Sequence, residues 1–114
     1  MSYLFVVSMD VDAEHEALFN EVYDTEHVPM LLEVPGVIGV RRYRREPFHM
    51  VMGGERRAMD APGEPLYTAI YEIESPAVLT SEEWAAAVDR GRWPSEVRPY
   101  TRNRRHVLLG GCRT

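Results

Sequence analysis

The chain has 114 residues, a size typical of one domain, and 45% of them are hydrophobic, which argues against an intrinsically disordered protein. The formal net charge of -5 disfavours a nucleic-acid-binding protein, because phosphate recognition needs a concentrated positive surface. All 13 basic residues are arginine, which excludes Schiff-base catalysis by a lysine, and the single cysteine excludes an intrachain disulfide and a thiolate zinc site.

The N-terminal sequence MSYLFVVSMD is rich in β-branched and aromatic residues and has no basic leader or small-residue cleavage site. We interpret it as a first strand, from Tyr3 to Met9. No hydrophobic run in the chain approaches the ~18 residues that a membrane-spanning helix requires. We therefore expect a cytoplasmic protein with no membrane partner, folded as a single domain over residues 1–114.

An amphipathic helix is predicted after this strand. From Ala13 onward, hydrophobic residues recur with the 3.6-residue period of a helix and form a stripe suited to packing on a sheet. The stripe contains His15, Leu18, Phe19 and Val22.

Pro29 determines where that helix is predicted to end. It cannot donate a backbone hydrogen bond and it disfavours helical geometry at the residue before it, so a break is expected around Thr25 to Val28. A second short helix then starts at Pro29 and ends at Pro35-Gly36. The break would place His27 at a corner between helix and sheet, where ligand clefts commonly form.

Three more strands and one more helix complete the predicted fold. The strands are Val37 to Arg45, Leu66 to Glu74 and Arg104 to Leu109, and the helix follows the capping box Thr80-Ser-Glu-Glu83 and ends at Gly91. The intervening segment Glu46 to Pro65 is long for a connection, which indicates a lid or a partner-contacting loop. The order β-α-β-β-α-β predicts a ferredoxin-like α+β fold, an antiparallel sheet with helices on one face.

The third predicted strand is hydrophobic on both faces. One face carries Tyr67, Ala69, Tyr71 and Ile73, and the other carries Leu66 and Ile70. Because two helices cover only one face of a sheet, the other face is expected to pack against a second copy of the chain. We predict a homodimer formed through the sheet face.

The segment Phe19 to Tyr43, FNEVYDTEHVPMLLEVPGVIGVRRY, resembles the EthD-like branch of the dimeric α+β barrel superfamily. The shared features are an aromatic residue at the helix end, a His two residues before a Pro, a Pro-Gly stop and a strand with Arg and Tyr. The segment TSEEW and the later Asn103-Arg104 pair are also similar. The resemblance implies a dimeric α+β barrel with His27 lining its pocket. It does not select a reaction, because the superfamily includes isomerases, cyclases, cofactor-free monooxygenases and haem-degrading enzymes.

His27 is the candidate catalytic residue. An imidazole with the unperturbed pKa of ~6.5 exchanges protons near neutral pH. Alternatively, His27 bonds free carbonyls at the helix end and only fixes the corner. Glu26 either orients His27, pairs with Arg41 or Arg42, or supplies a negative charge to the start of the second helix.

The candidate substrate-binding residues are Tyr23, Glu26, Arg41, Tyr43, Tyr71 and Trp84. Tyr23 lies one turn before His27, and an inward Arg41 would hold a carboxylate, phenolate or enolate. Tyr71, Trp84 and Trp93 would form aromatic walls. Each also has an ordinary structural alternative: core packing for the aromatic residues, and a solvated or interfacial strand for the arginines.

The four histidines lack the spacing of a metal site, and the glycine pairs lack the context of a phosphate loop, so we expect no metal and no cofactor. The leading hypothesis is a cofactor-independent isomerase, cyclase or monooxygenase that moves a proton beside a carbonyl of a small hydrophobic or polyketide-like compound. The second hypothesis is a non-catalytic ligand-binding or structural homodimer. A third is haem binding through His106.

Overall fold

A four-stranded antiparallel sheet forms one layer of the protein in the computed structural model, which describes residues 2–112. The strands and helices are β1 (Tyr3–Val11), α1 (Glu16–Val22), α2 (Val28–Leu32), β2 (Val37–Arg44), β3 (Phe48–Met52), β4 (Glu55–Met59), β5 (Tyr67–Ile73), α3 (Glu82–Val88) and β6 (Thr101–Gly110). The sheet order is β2-β5-β1-β6, and β3 and β4 form a separate hairpin. This is the predicted ferredoxin-like arrangement with a hairpin inserted, so the predicted fold class is confirmed. Within the described residues, no helix is long and apolar enough to cross a membrane.

The hydrophobic core lies between the helices and one face of the sheet. Alternate residues of β1 and β5, including Met9 and Ile73, are buried there, as the two-residue period of a strand requires. Phe19 and Val22 of α1 pack against them and are fully buried. Burying a side chain of this size stabilises the fold by roughly 1.5–3 kcal/mol. The predicted assignment of Tyr71 and its neighbours to one face of a strand is confirmed.

The predicted break at Thr25 to Val28 is wrong. Tyr23–His27 form a π-helical turn that joins α1 to α2. The N–H of Val28 bonds to the carbonyl of Tyr23, and Val28 keeps helical dihedral angles of φ -62° and ψ -49°. The widened turn accommodates Pro29, which has no N–H to donate. His27 therefore projects from a continuous helical arm rather than from a corner.

The segment Glu46 to Pro65, predicted to be a loop, contains the β3–β4 hairpin. Its two-residue turn is Gly53-Gly54, with φ angles of 59° and 80°, the left-handed geometry of a type I′ turn. The hairpin strands pair only with each other, and Phe48 and Val51 are exposed. The role of this segment as a lid or partner contact stays a prediction.

The connection between α3 and β6 is also more ordered than its sequence indicated. Ser81, one residue later than predicted, caps α3 by accepting a hydrogen bond from the N–H of Trp84. Beyond Gly91, whose φ is 70°, a π-helical turn spans Trp93–Val97 and a 3-10 turn spans Arg98–Tyr100. These turns bring Trp93 against the helical arm that carries His27.

Candidate functional site

A cavity of about 260 Å³ lies between the helices and the sheet. It is lined by Phe5, Val7, Met9, Tyr23, His27, Leu31, Tyr71, Trp84, Val88, Trp93, Arg98, Arg104 and His106. The lining residues come from six parts of the fold: β1, the helical arm, β5, α3, the turn after α3 and β6. Arg104 and His106 are exposed, so the mouth of the cavity lies along the edge strand β6. Among the described residues, no carboxylate lines this cavity.

His27 is buried in an aromatic setting, with 5% of its surface exposed. Its ring stacks on Trp93, with centroids 4.4 Å apart, and meets the edge of Tyr23 at 5.0 Å. Within residues 2–112, its Nδ1 atom is buried and has no hydrogen-bond partner. Nε2 is therefore the ring nitrogen left to face the cavity that His27 lines.

The imidazole of His27 is neutral at physiological pH. Burial, followed by the positive charges of Arg98 and Arg104, lowers the pKa of His27 to about 4. At the unperturbed pKa of ~6.5, His27 could act as either acid or base. With the lowered pKa, the neutral form predominates near neutral pH, so His27 can accept a proton, whereas the imidazolium that would act as a general acid is scarce.

Tyr23 and Tyr71 form a hydroxyl pair beside His27. Their oxygens lie 3.1 Å apart, and both side chains are buried. Burial raises the pKa of each phenol, so both hydroxyls keep their protons at neutral pH. One proton is used in the bond between them. The other is free to be donated to an oxygen of a ligand.

Two arginines that sequence analysis did not select, Arg98 and Arg104, supply the positive charge of the cavity. Arg98 donates through Nη2 to the carbonyl of Val88 (2.8 Å) and to Asp89 (2.9 Å). Arg104 lies in β6 on the same face as His106, at alternate positions of one strand. The alternation of Arg104 and His106 is visible in the sequence. Which side of the sheet the two residues face depends on the register of β6 on β1.

Arg41 and Tyr43 lie on the opposite face of the sheet. They line a separate depression with Leu4 and Ile70 and do not meet His27. The sequence alone did not show which face of β2 meets the helices. That face carries Arg42, whose Cζ atom lies 4.5 Å from the ring centroid of Tyr23. Arg98 and Arg104 therefore occupy the position beside His27 that was predicted for Arg41.

Glu26 binds Arg92 rather than Arg41 or Arg42. Its carboxylate accepts hydrogen bonds from the backbone N–H of Arg92 (2.9 Å) and from the guanidinium of the same residue. These bonds lower the pKa of Glu26 and keep it charged. Glu26 does not line the cavity; it ties the arm that carries His27 to the turn that carries Trp93.

Trp84 is both a wall of the cavity and part of the packing. Its ring lies 5.6 Å from Tyr71 and 5.9 Å from Phe5. The cavity thus brings together four residues that were predicted to belong to one site: Tyr23, His27, Tyr71 and Trp84. In the described part of the chain, no group of three or more His, Cys, Asp or Glu side chains is arranged to hold a metal ion.

Comparison with solved structures identifies the architecture. An EthD family protein from Bacillus halodurans superimposes with a TM-score of 0.61 over 98% of this chain and 100% of that chain, at 12% sequence identity. The chain has an EthD-like fold. The resemblance seen in Phe19 to Tyr43 is therefore confirmed for the fold. A sequence identity this low is no basis for assigning the same reaction to both proteins. No protein-family model matches the sequence, and no curated protein matches it.

The low pKa of His27 predicts how stability depends on pH. The unfolded chain binds a proton to this residue near pH ~6.5 and the folded chain only near pH 4, so stability falls as the pH is lowered through that window. The loss should reach about 3 kcal/mol in the free energy of unfolding. In His27→Phe this contribution should vanish, as measured by urea unfolding between pH 7 and pH 4.

His49→Gln is the matched control, because it removes an exposed imidazole in the hairpin. It should keep the wild-type dependence on pH. An unchanged dependence in His27→Phe would contradict the assignment of a buried, neutral imidazole.

Proposed function

We propose that this EthD-like protein is a cofactor-independent enzyme that removes a proton from a carbon beside a carbonyl group of a small, mainly hydrophobic compound. One observation supports this most strongly: a neutral imidazole, a phenol pair and two guanidinium groups face one aromatic cavity. The base and the groups that stabilise negative charge are thus supplied together.

In the proposed step, the proton passes from the substrate carbon to Nε2 of His27. The electron pair of the broken C–H bond shifts towards the carbonyl and forms an enolate. The free phenolic proton of the Tyr23–Tyr71 pair bonds the enolate oxygen, and Arg98 and Arg104 offset its charge. General base catalysis of this kind is typically worth ~10²–10⁴-fold in rate.

The fate of the enolate decides the reaction class. Return of the proton to a different carbon gives isomerisation, attack on a second carbonyl gives cyclisation, and reaction with dioxygen gives oxygenation. The same base and the same oxyanion donors serve all three. The aromatic walls, Trp84 and Trp93 among them, favour flat conjugated substrates.

A ligand-binding protein without catalysis is the second candidate. The observation that favours it is the unpartnered Nδ1 of His27, because a catalytic imidazole is usually held in one tautomer by an acceptor at its other nitrogen. The cavity beside His27 is required by both candidates and disfavours only a purely structural cluster, which would fill that space.

Ring opening of 5-nitrobenzisoxazole provides a direct test of the proposed base. This flat aromatic probe loses a carbon-bound proton to a base, its N–O bond breaks, and a coloured phenolate forms. The wild-type protein should accelerate the reaction above buffer, and His27→Phe should reduce the protein-dependent rate by about 10²-fold or more. Initial rates are followed by absorbance at pH 7.

His15→Phe is the control, because His15 stacks on Tyr100 and does not line the cavity. It should retain the wild-type rate. Equal rates for the wild type and His27→Phe would exclude His27 as the base and favour the binding protein.

We also propose that the sheet face opposite the helices packs against a second copy of the chain. This face exposes large hydrophobic side chains: Leu4 (39%), Tyr43 (50%), Val107 (48%) and Leu109 (48%). A monomer rarely leaves such a contiguous face in water. Arg41 and Tyr43 would then contribute to the subunit interface rather than to the cavity.

An aspartate at Val107 tests this interface. Val107→Asp places a charge on the face proposed to form the contact and should convert a dimer to a monomer. Sedimentation velocity measures the mass at micromolar concentrations. Val51→Asp, at an exposed position in the hairpin, should leave the dimer intact. A wild-type protein that sediments as one chain at these concentrations would contradict the proposal.

A further inference from the structure

We infer that the cavity selects ligands that carry a carboxylate or phenolate, and that Arg104, with Arg98 beside it, holds this group at the mouth. The flat body of the ligand would enter between the aromatic walls towards His27. This inference rests on the proposed function for the location of the ligand, but not for the reaction.

The first support is the contrast between the charge of the cavity and that of the chain. The sequence has 18 acidic and 13 basic residues. Even so, the charged side chains that line the cavity are Arg98 and Arg104, with no carboxylate among the described residues. A cavity of this sign inside an acidic protein attracts anions locally, while the rest of the surface repels them.

The second support is that Arg104 has no acidic partner, unlike its neighbours in β6. Arg102 pairs with Asp12 at 2.8 Å and Arg105 pairs with Glu64 at 2.7 Å. Among residues 2–112, Arg104 forms neither an ion pair nor a side-chain hydrogen bond. Its planar guanidinium at the mouth is therefore available for the two parallel hydrogen bonds that a carboxylate accepts.

Arg98 is positioned to assist. Its Nη2 atom is occupied by the carbonyl of Val88 and by Asp89, which fixes the orientation of the guanidinium. Nη1 makes no hydrogen bond within the described residues. An arginine held in this way loses little conformational entropy when it binds an anion.

The third support is the shape of the lining. Phe5, Tyr71 and Trp84 meet with ring centroids between 5.6 and 5.9 Å apart and form one wall, and the stacked pair of His27 and Trp93 forms another part of the lining. Such walls bind the faces and edges of a conjugated ring. An anion between the two guanidinium groups would also offset the positive field that acts on His27.

A matched pair of probes separates charge from shape. 2-Naphthoate and 2-naphthamide have the same ring system and differ in charge, and their binding can be followed through quenching of tryptophan fluorescence. The wild type should bind naphthoate at least tenfold more tightly than naphthamide. Arg104→Gln should lose this preference through weaker naphthoate binding, while its affinity for naphthamide stays within about twofold of the wild type.

Arg105→Gln is the control, because it removes the same charge from the opposite face of the same strand. It should keep the preference for naphthoate. Equal affinities for both probes in the wild type, failure of naphthoate to bind, or equal losses in Arg104→Gln and Arg105→Gln would overturn the inference.

The two proposals fail separately. Loss of the naphthoate preference, together with ring opening that still depends on His27, would remove the anion site and leave the base in place. Selective naphthoate binding without ring opening would leave the anion site and remove the base.

Discussion

The burial of His27 between Trp93 and Tyr23 is the contact on which the rest of the site depends. A neutral imidazole fits this setting, whereas an imidazolium would lose its hydration on burial and would be repelled by two guanidinium groups. The bonds from Glu26 to Arg92 hold the two chain segments that enclose it. The site is thus organised around a weak base whose availability near neutral pH comes from its surroundings.

The charges are separated across the fold in a way that suits this base. The cavity carries guanidinium groups without a carboxylate among the described residues, while acidic residues such as Asp12 and Glu64 lie on the surface. The hydroxyl pair adds a donor that stays protonated because it is buried. These features together stabilise negative charge on a ligand, which is the requirement shared by an enolate and by a bound carboxylate.

Much of the fold could be predicted because strand periodicity depends on local sequence alone. The alternation in β5 correctly predicted which residues share a face, and the motif around His27 predicted the EthD-like fold. The effect of Pro29 was predicted from a rule about single residues. That rule predicts that the helix ends before a proline. It does not consider a π-helical turn, which accommodates a residue without an N–H and keeps the helical arm continuous.

The site was only partly predictable because it depends on register and on irregular turns. Tyr71 and Trp84 lie in regular elements and were identified. Arg98 follows a π-helical turn with no sequence period, and the position of Arg104 depends on how β6 pairs with β1. Arg41 was placed in the site because β2 alone does not reveal which of its faces meets the helices.

The charge state of His27 in the folded protein is the central claim, and nuclear magnetic resonance of its ring nitrogens measures it directly. We expect a ring that remains neutral at pH 6 and takes up a proton only near pH 4. A His27 that becomes half protonated at its ordinary pKa of ~6.5 would rule out the buried, neutral imidazole.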